Sequence, residues 1–144
     1  MSRNFIFNDL ITLKKYIPKF MDNDKLDFDF ITPDRYKKDN EIYKFGCHSN
    51  AINTELPDDY EDLSDDDLIS IHFETVRYAP LVWLKLLREN NIPFDLIWYS
   101  DDNSSAGRIY AEFNSREIKS ISFTDTYSLF DAMRTKQWKE IKYN

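Results

Sequence analysis

The sequence holds two glycines, one cysteine and two histidines in 144 residues. Each shortage removes a class of chemistry. With only Gly46 and Gly107 available, neither a GxGxxG nor a GxxxxGK phosphate loop can be written, which disfavours a nucleotide-binding enzyme. Ser105-Ala106-Gly107-Arg108 resembles no phosphate cradle, and Gly107 reads instead as the opening of a turn or a bulge before a strand. The lone Cys47 excludes an internal disulfide and suits a reducing compartment. HExxH and paired CxxC motifs are absent. No cofactor is expected.

Five prolines and two glycines are too few for an extended linker or a low-complexity tail. No apolar run approaches the roughly 20 residues that span a bilayer, so no membrane association is expected. The opening stretch MSRNFIFNDLITLKKY lacks the basic-then-apolar order of a secretory signal, and a cytoplasmic location is the expectation. Positive charge is short as well. Nineteen basic against 26 acidic residues leave a net charge of −7. Such a field repels phosphate backbones, which makes proteins with basic surfaces better partners than nucleic acid.

What is present is an aromatic load of 16% and a hydrophobic fraction of 42%, enough for the core of one domain over residues 1–144. The most concentrated feature is Glu55–Asp67, ELPDDYEDLSDDD. It sets eight carboxylates in thirteen residues with no Lys or Arg among them. It cannot form a core, so residues 55–67 are expected to be a solvated acidic loop or insertion. The carboxylates are oxygen ligands of the type calcium takes, but EF-hand spacing and its turn glycine are missing.

Along the chain, Arg3–Phe7 reads as a short strand. Asn8 or Asp9 can cap a helix carrying Leu10, Leu13, Ile17 and Phe20 at spacings of three, four and three, with Pro18 as a kink. Leu26, Phe28 and Phe30 alternate with Asp27, Asp29 and Ile31, which predicts a strand ended by Pro33. Asp34–Asn40 is a polar turn or short helix, and Ile42–Phe45 a short strand or ordered crossover. Leu68–Phe73 alternates again. Pro80, Trp83, Leu84 and Leu87 share one helical face. Phe94–Tyr99, Arg108–Phe113 and Ile118–Phe123 read as an antiparallel meander, with Asp101-Asp102-Asn103 as a turn. Thr124 or Asp125 caps a last helix with Leu129, Phe130, Met133 and Trp138 facing inward. The tail Arg134–Asn144 is mildly basic and can face the acidic run. The order predicts an α+β fold: an antiparallel, ferredoxin-like (split βαβ) sheet with helices on one face.

Candidate chemistry is sparse. Cys47 or His48 with His72 and a carboxylate makes a conceivable metal site, and Cys47 with His72 a conceivable nucleophilic dyad. Glu74, Asp95 and Glu112 sit in or beside strands, where burial can raise a carboxylate pKa. Phe28, Phe30, Phe73, Trp98, Tyr99, Tyr110 and Phe113 can form a base-stacking platform, with Arg3, Arg77 and Arg108 as its cations.

The segment Phe73–Gly107, FETVRYAPLVWLKLLRENNIPFDLIWYSDDNSSAG, carries a further signal. Phe73 and Thr75, Tyr78 and Pro80, the Trp83–Leu87 helix, Pro93 and Leu96, then Tyr99, Asp101, Asp102 and Gly107 follow a recurring order. Asp27–Pro33 (DFDFITP) and Phe45–Asn53 (FGCHSNAIN) add to it through Gly46, Asn50 and Ala51. In this pattern the chain resembles the YubB-like ferredoxin-like domains of phages, plasmids and other mobile elements, over roughly Phe28–Phe113. It departs from them where Ser49 replaces a tryptophan and Cys47-His48 a Thr-Lys pair. The resemblance implies a ferredoxin-like sheet and a mobile-element origin, and it carries over no catalytic residue. Small acidic phage proteins often inhibit host proteins, defence nucleases among them, which makes an anti-CRISPR type of role a member of the expected class.

The leading expectation is a non-catalytic inhibitor that binds a basic surface of a bacterial defence or nucleic-acid-handling protein. Its protein-binding residues are Glu55, Asp58, Asp59, Tyr60, Glu61, Asp62, Asp65, Asp66, Asp67 and Tyr78, the acids steering and the tyrosines anchoring. An RNA or single-strand-binding module and a small hydrolase or metal-dependent enzyme are the alternatives.

Overall fold

A computed structural model describes residues 4–135 and 137–144. The strand at the centre of the sheet is β1 (Phe5–Leu13), whose residues alternate between half-buried and buried. Ile6, Asn8, Leu10 and Thr12 point to one side, and Phe7, Asp9 and Ile11 to the other. The helix expected from Leu10 to Phe20 does not form. Leu10 satisfies period two as well as period 3.6, and Ile6, Ile11 and Thr12 favour a pleated backbone. The strand runs on to Leu13, and Lys14–Lys19 follows as a 3₁₀ turn containing Pro18. Leu13, Ile17 and Phe20 are buried all the same. Arg3, at the start of the expected first strand, lies outside the described residues.

A two-stranded hairpin follows, β2 (Met21–Asp22) and β3 (Lys25–Leu26), turned at Asn23 with φ 55. The alternating Leu26–Ile31 segment is not one strand. The Asp27 carboxylate accepts the Asp29 N–H at 2.9 Å and bends the chain into a 3₁₀ turn, Phe28–Phe30. Phe28 is fully buried while Phe30 is half exposed. A second 3₁₀ turn, Asp34–Tyr36, precedes a short helix α1 (Glu41–Phe45), where a short strand or crossover was expected. Gly46 ends α1 at φ +89, and a Cβ there would lie 2.7 Å from the Val82 nitrogen.

The remaining elements are β4 (Ile52–Glu55), β5 (Leu68–Val76), α2 (Leu81–Glu89), β6 (Phe94–Ser100), β7 (Ala106–Ala111), β8 (Lys119–Phe123) and α3 (Thr126–Arg134). They form a six-stranded antiparallel sheet in the order β4-β5-β1-β6-β7-β8. Both neighbours of β1 run antiparallel to it, so β5 and β6 point the same way with β1 between them. α2 carries the chain from one to the other.

Helices do not share one face. α2 seals the first face, where Trp83 lies against Phe20, Phe28 and Phe73, and Leu84 and Leu87 are fully buried. α3 lies on the second face, where Leu129 packs with Ile97 and Ala106. Those two residues alternate with Leu96 and Gly107 of the first face. Asp125 is the cap of α3, accepting the Ser128 N–H at 2.7 Å. Phe130 and Met133 are exposed, and Trp138 lies beyond the helix, stacked on Phe123. Gly107 sits inside β7 opposite Trp98, not in a turn; a Cβ there would come within 2.4 Å of the indole nitrogen. Among the described residues no helix is long and apolar enough to cross a membrane.

Candidate functional site

The second face is closed at one end and open at the other. At the closed end Arg108 is 1% exposed and pairs with Asp95 through two bonds, Nε at 2.9 Å and Nη2 at 2.7 Å. The guanidinium lies between the Tyr110 and Trp138 rings, at 4.3 and 3.9 Å from their centroids. Its second nitrogen also donates to the Lys139 carbonyl. Arg108 is therefore a structural cation, unavailable to nucleic acid, and Asp95 is its counter-ion. Glu112 pairs with Lys139 at 2.9 Å, which holds its carboxyl below the usual range.

At the open end residues of β1, β4, β5 and β6 line a cleft of about 610 Å³, among them Phe7, Asp9, Glu55, His72, Glu74 and Tyr99. His72 contacts the Asp9 carboxylate, and Asn53 donates to Glu74. The Phe7 and Tyr99 rings lie tilted at 44° with centroids 5.4 Å apart, and Phe130 meets Tyr99 edge to face at 5.7 Å. Burial, then the Asp9 charge, raises the Tyr99 hydroxyl above its ordinary pKa. By sequence Asp9 is a candidate cap of a helix over Leu10–Phe20; in the structure it lies within β1. Period-two pairing of β1 with Leu68–Phe73 is the signal that finds it.

The acidic run leaves this cleft at Glu55 and returns to the sheet at Leu68. Its backbone is tied down by Lys14 and Lys15. Their N–H groups donate to the Asp67 and Asp65 carbonyls at 3.0 and 3.1 Å, and Lys14 Nζ donates to the Leu63 carbonyl at 2.6 Å. Asp67 caps the Ser64 N–H at 2.8 Å. Glu55, Asp58, Asp59, Glu61, Asp62, Asp65, Asp66 and Asp67 are all exposed. Among the described residues only Asp66 of these forms an ion pair, with Lys15 at 3.5 Å. Among the described residues no cation of the tail pairs with the run: Arg134 pairs with Asp131 and Lys139 with Glu112. The two lysines thus hold the loop chiefly by its carbonyls, and Lys15 meets one carboxylate, that of Asp66.

Tyr60 lies within the loop with Lys14 Nζ 4.9 Å above its ring. Tyr78 is half exposed and lies beyond the far end of the nine-residue β5, beside His48. At about 3.3 Å per residue that strand sets it more than roughly 20 Å from the Leu68 end, where Lys14 meets Tyr60. The two tyrosines are not brought together.

The enzyme constellation does not assemble. Cys47 is fully buried in the first-face core, and burial pushes its thiol up to about 12, the opposite of an activated thiolate. Its Sγ donates to the Ser49 carbonyl at 3.1 Å. His72 is exposed on the second face, so Cys47 and His72 are separated by the sheet. His48 is exposed beside Tyr78. Among the described residues no three His, Cys, Asp or Glu side chains are grouped as a metal site.

The stacking platform fails as well. Phe28 and Phe73 are core residues of the first face, Trp98 faces the same way, and Tyr99 and Tyr110 face the other. Arg77 is exposed, but it stands at the β5 terminus with φ 74, and Arg3 lies outside the described residues.

Two of the residues quoted for the family resemblance, Asn50 and Thr75, have structural roles. Asn50 accepts the Phe28 N–H and donates to Asp27, both at 2.8 Å. Thr75 donates to the Tyr78 carbonyl at 2.7 Å and accepts from the buried Asn8 at 3.0 Å. No protein-family model, curated protein or solved structure matches the chain.

Proposed function

We propose that the chain is a non-catalytic acidic binding protein whose partner presents a basic surface. The observation that carries this is the Glu55–Asp67 loop. It is anchored through its backbone by Lys14 and Lys15, and among the described residues its carboxylates have no counter-ion apart from that of Asp66. A fixed array of like charge steers a cationic partner and sets its register. The acidic cleft beside Glu55 extends the same surface, and Tyr99 and Phe7 supply apolar area there. The strand order β4-β5-β1-β6, with α2 crossing from β5 to β6 over β1, supports a split βαβ, ferredoxin-like core to which β7 and β8 are appended. It also supports membership of the YubB-like domains of mobile elements. In that setting the partner is a bacterial defence or nucleic-acid-handling protein, met in the cytoplasm, and binding blocks its nucleic-acid site.

The test is an affinity capture from bacterial lysate at low and high salt, with a variant carrying Asn at 58, 59, 62, 65, 66 and 67. Wild-type chain is expected to retain a nucleic-acid-handling protein at low salt and to inhibit its activity stoichiometrically. High salt and the Asn variant both lose it, since screening shortens the reach of the acidic field. An affinity indifferent to salt and to the six replacements sinks the proposal.

A further inference from the structure

We propose that β8 pairs antiparallel with β8 of a second copy of this chain, joining two sheets about a two-fold axis. Among the described residues β8 ends the sheet, with β7 as its one neighbour. An edge strand carries backbone N–H and C=O groups with no partner strand, and folds blunt such edges with bulges, proline, charge or a covering segment. The other edge shows these devices. β4 has four residues, its register breaks between Ile52 and Glu55, and Asn53 stands at φ 54. The β2–β3 hairpin lies against it, with the Leu26 N–H donating to Thr54 Oγ1 at 3.2 Å.

Among the described residues β8 has no bulge, no proline and no covering segment, and its one charge, Lys119, stands at its first residue. It runs in regular register with β7, from Tyr110↔Lys119 to Ala106↔Phe123. Four of its five residues are exposed, and it holds no proline and no carboxylate. Among the described residues nothing outside β7 hydrogen-bonds to its backbone.

The chemistry of the strand selects a second copy as the occupant. Pairing centred on Ile121 sets that residue against its own counterpart, Ser120 against Ser122, and Lys119 against Phe123. Ile121, 42% exposed, gains apolar cover, and the two lysines avoid one another. Two chains of net charge −7 repel at long range, and a strand free of Asp and Glu is where they can approach. A basic partner finds nothing to pair with here. Two-fold pairing also closes the assembly, because each copy's other edge is already blunted. Edge pairing buries little area, so the dimer is weak and concentration-dependent.

Sedimentation velocity over a wide concentration range, at low and high salt, tests this. The dimer fraction is expected to rise with concentration and with salt, because screening weakens the mutual repulsion. That salt dependence is opposite in sign to the one expected for a basic partner. Ile121→Lys sets like charges directly opposite and is expected to weaken association roughly tenfold. Circular dichroism should show an unchanged fold, since residue 121 is exposed. Ile121→Cys, treated with diamide to join two thiols as a disulfide, is expected to cross-link to itself. Ser104→Cys, on an exposed turn, is not. A monomer at every concentration and salt, or a dimer indifferent to Ile121→Lys and not cross-linked through position 121, overturns the proposal.

Discussion

Asp95 and Asp66 carry the same group and each faces a cation, yet they do opposite work. Asp95 meets Arg108 at 2.7 Å with 9% and 1% of the two side chains exposed. Asp66 meets Lys15 at 3.5 Å with 76% and 38% exposed. In the first pair each charge has lost its water and depends on the other. In the second both remain hydrated, and the attraction is screened. Carboxylates at the closed end of the second face hold the fold together. Those of the loop are held out by it and are free to meet another molecule.

The largest effect expected from breaking this contrast is at the buried pair. Asp95→Ala leaves a guanidinium uncompensated between two rings and is expected to cost about 3–5 kcal/mol, read from the urea midpoint. Asp95→Leu combined with Arg108→Met is expected to restore most of that loss, because two apolar side chains need no mutual charge. A small loss in the single variant would erase the distinction between the two ends. Next comes the loop. Asn at positions 58, 59, 62, 65, 66 and 67 is expected to abolish salt-dependent partner capture while shifting stability by less than about 1 kcal/mol. A collapse of stability there would mean that the carboxylates, and not their backbone, hold the loop.

Acid separates the groups again. Hydrogen bonds from Ser104 and Ser100 bring Asp102 down to about 2, and the bond from Ser128 lowers Asp125. A depressed folded pKa means that the unfolded chain binds protons first. The stability from Asp125 is present above about pH 4 and is lost as pH falls through its folded value. The difference in urea midpoint between wild type and Asp125→Ala should therefore shrink on acidification. A difference that grows would reverse the sign. The smallest effect is at the surface pair: Lys15→Ala should change stability by no more than about 0.5–1 kcal/mol.

Much of the second half was legible in the residues. Pro80 before Trp83, Leu84 and Leu87 marks α2, the apolar centre of Phe94–Tyr99 marks β6, and the strand expected at Ile118–Phe123 forms over Lys119–Phe123. Asp125 caps α3 as its side chain predicts. The first half misled. Leu10, Leu13, Ile17 and Phe20 satisfy a helical period, but the pairing of β1 along its whole length with β5 stabilises an extended chain, and all four are buried either way. Phe28 and Phe30 alternate like a strand, but Asp27 offers the backbone a local bond that turns it. The exposure of the acidic run could be read directly, since eight carboxylates cannot be desolvated together. Arg108 could not be read that way. Its partner lies 13 residues away on the neighbouring strand, and only the register of β6 with β7 brings the two to one face.

The sequence by itself determined the α+β character, the acidic surface and the absence of a phosphate loop, because these rest on composition and local backbone preference. Only the tertiary structure decided which charges are satisfied, which sheet edge is left open and which faces the helices cover. Those outcomes depend on strand register, and register is set by contacts between residues far apart in the chain.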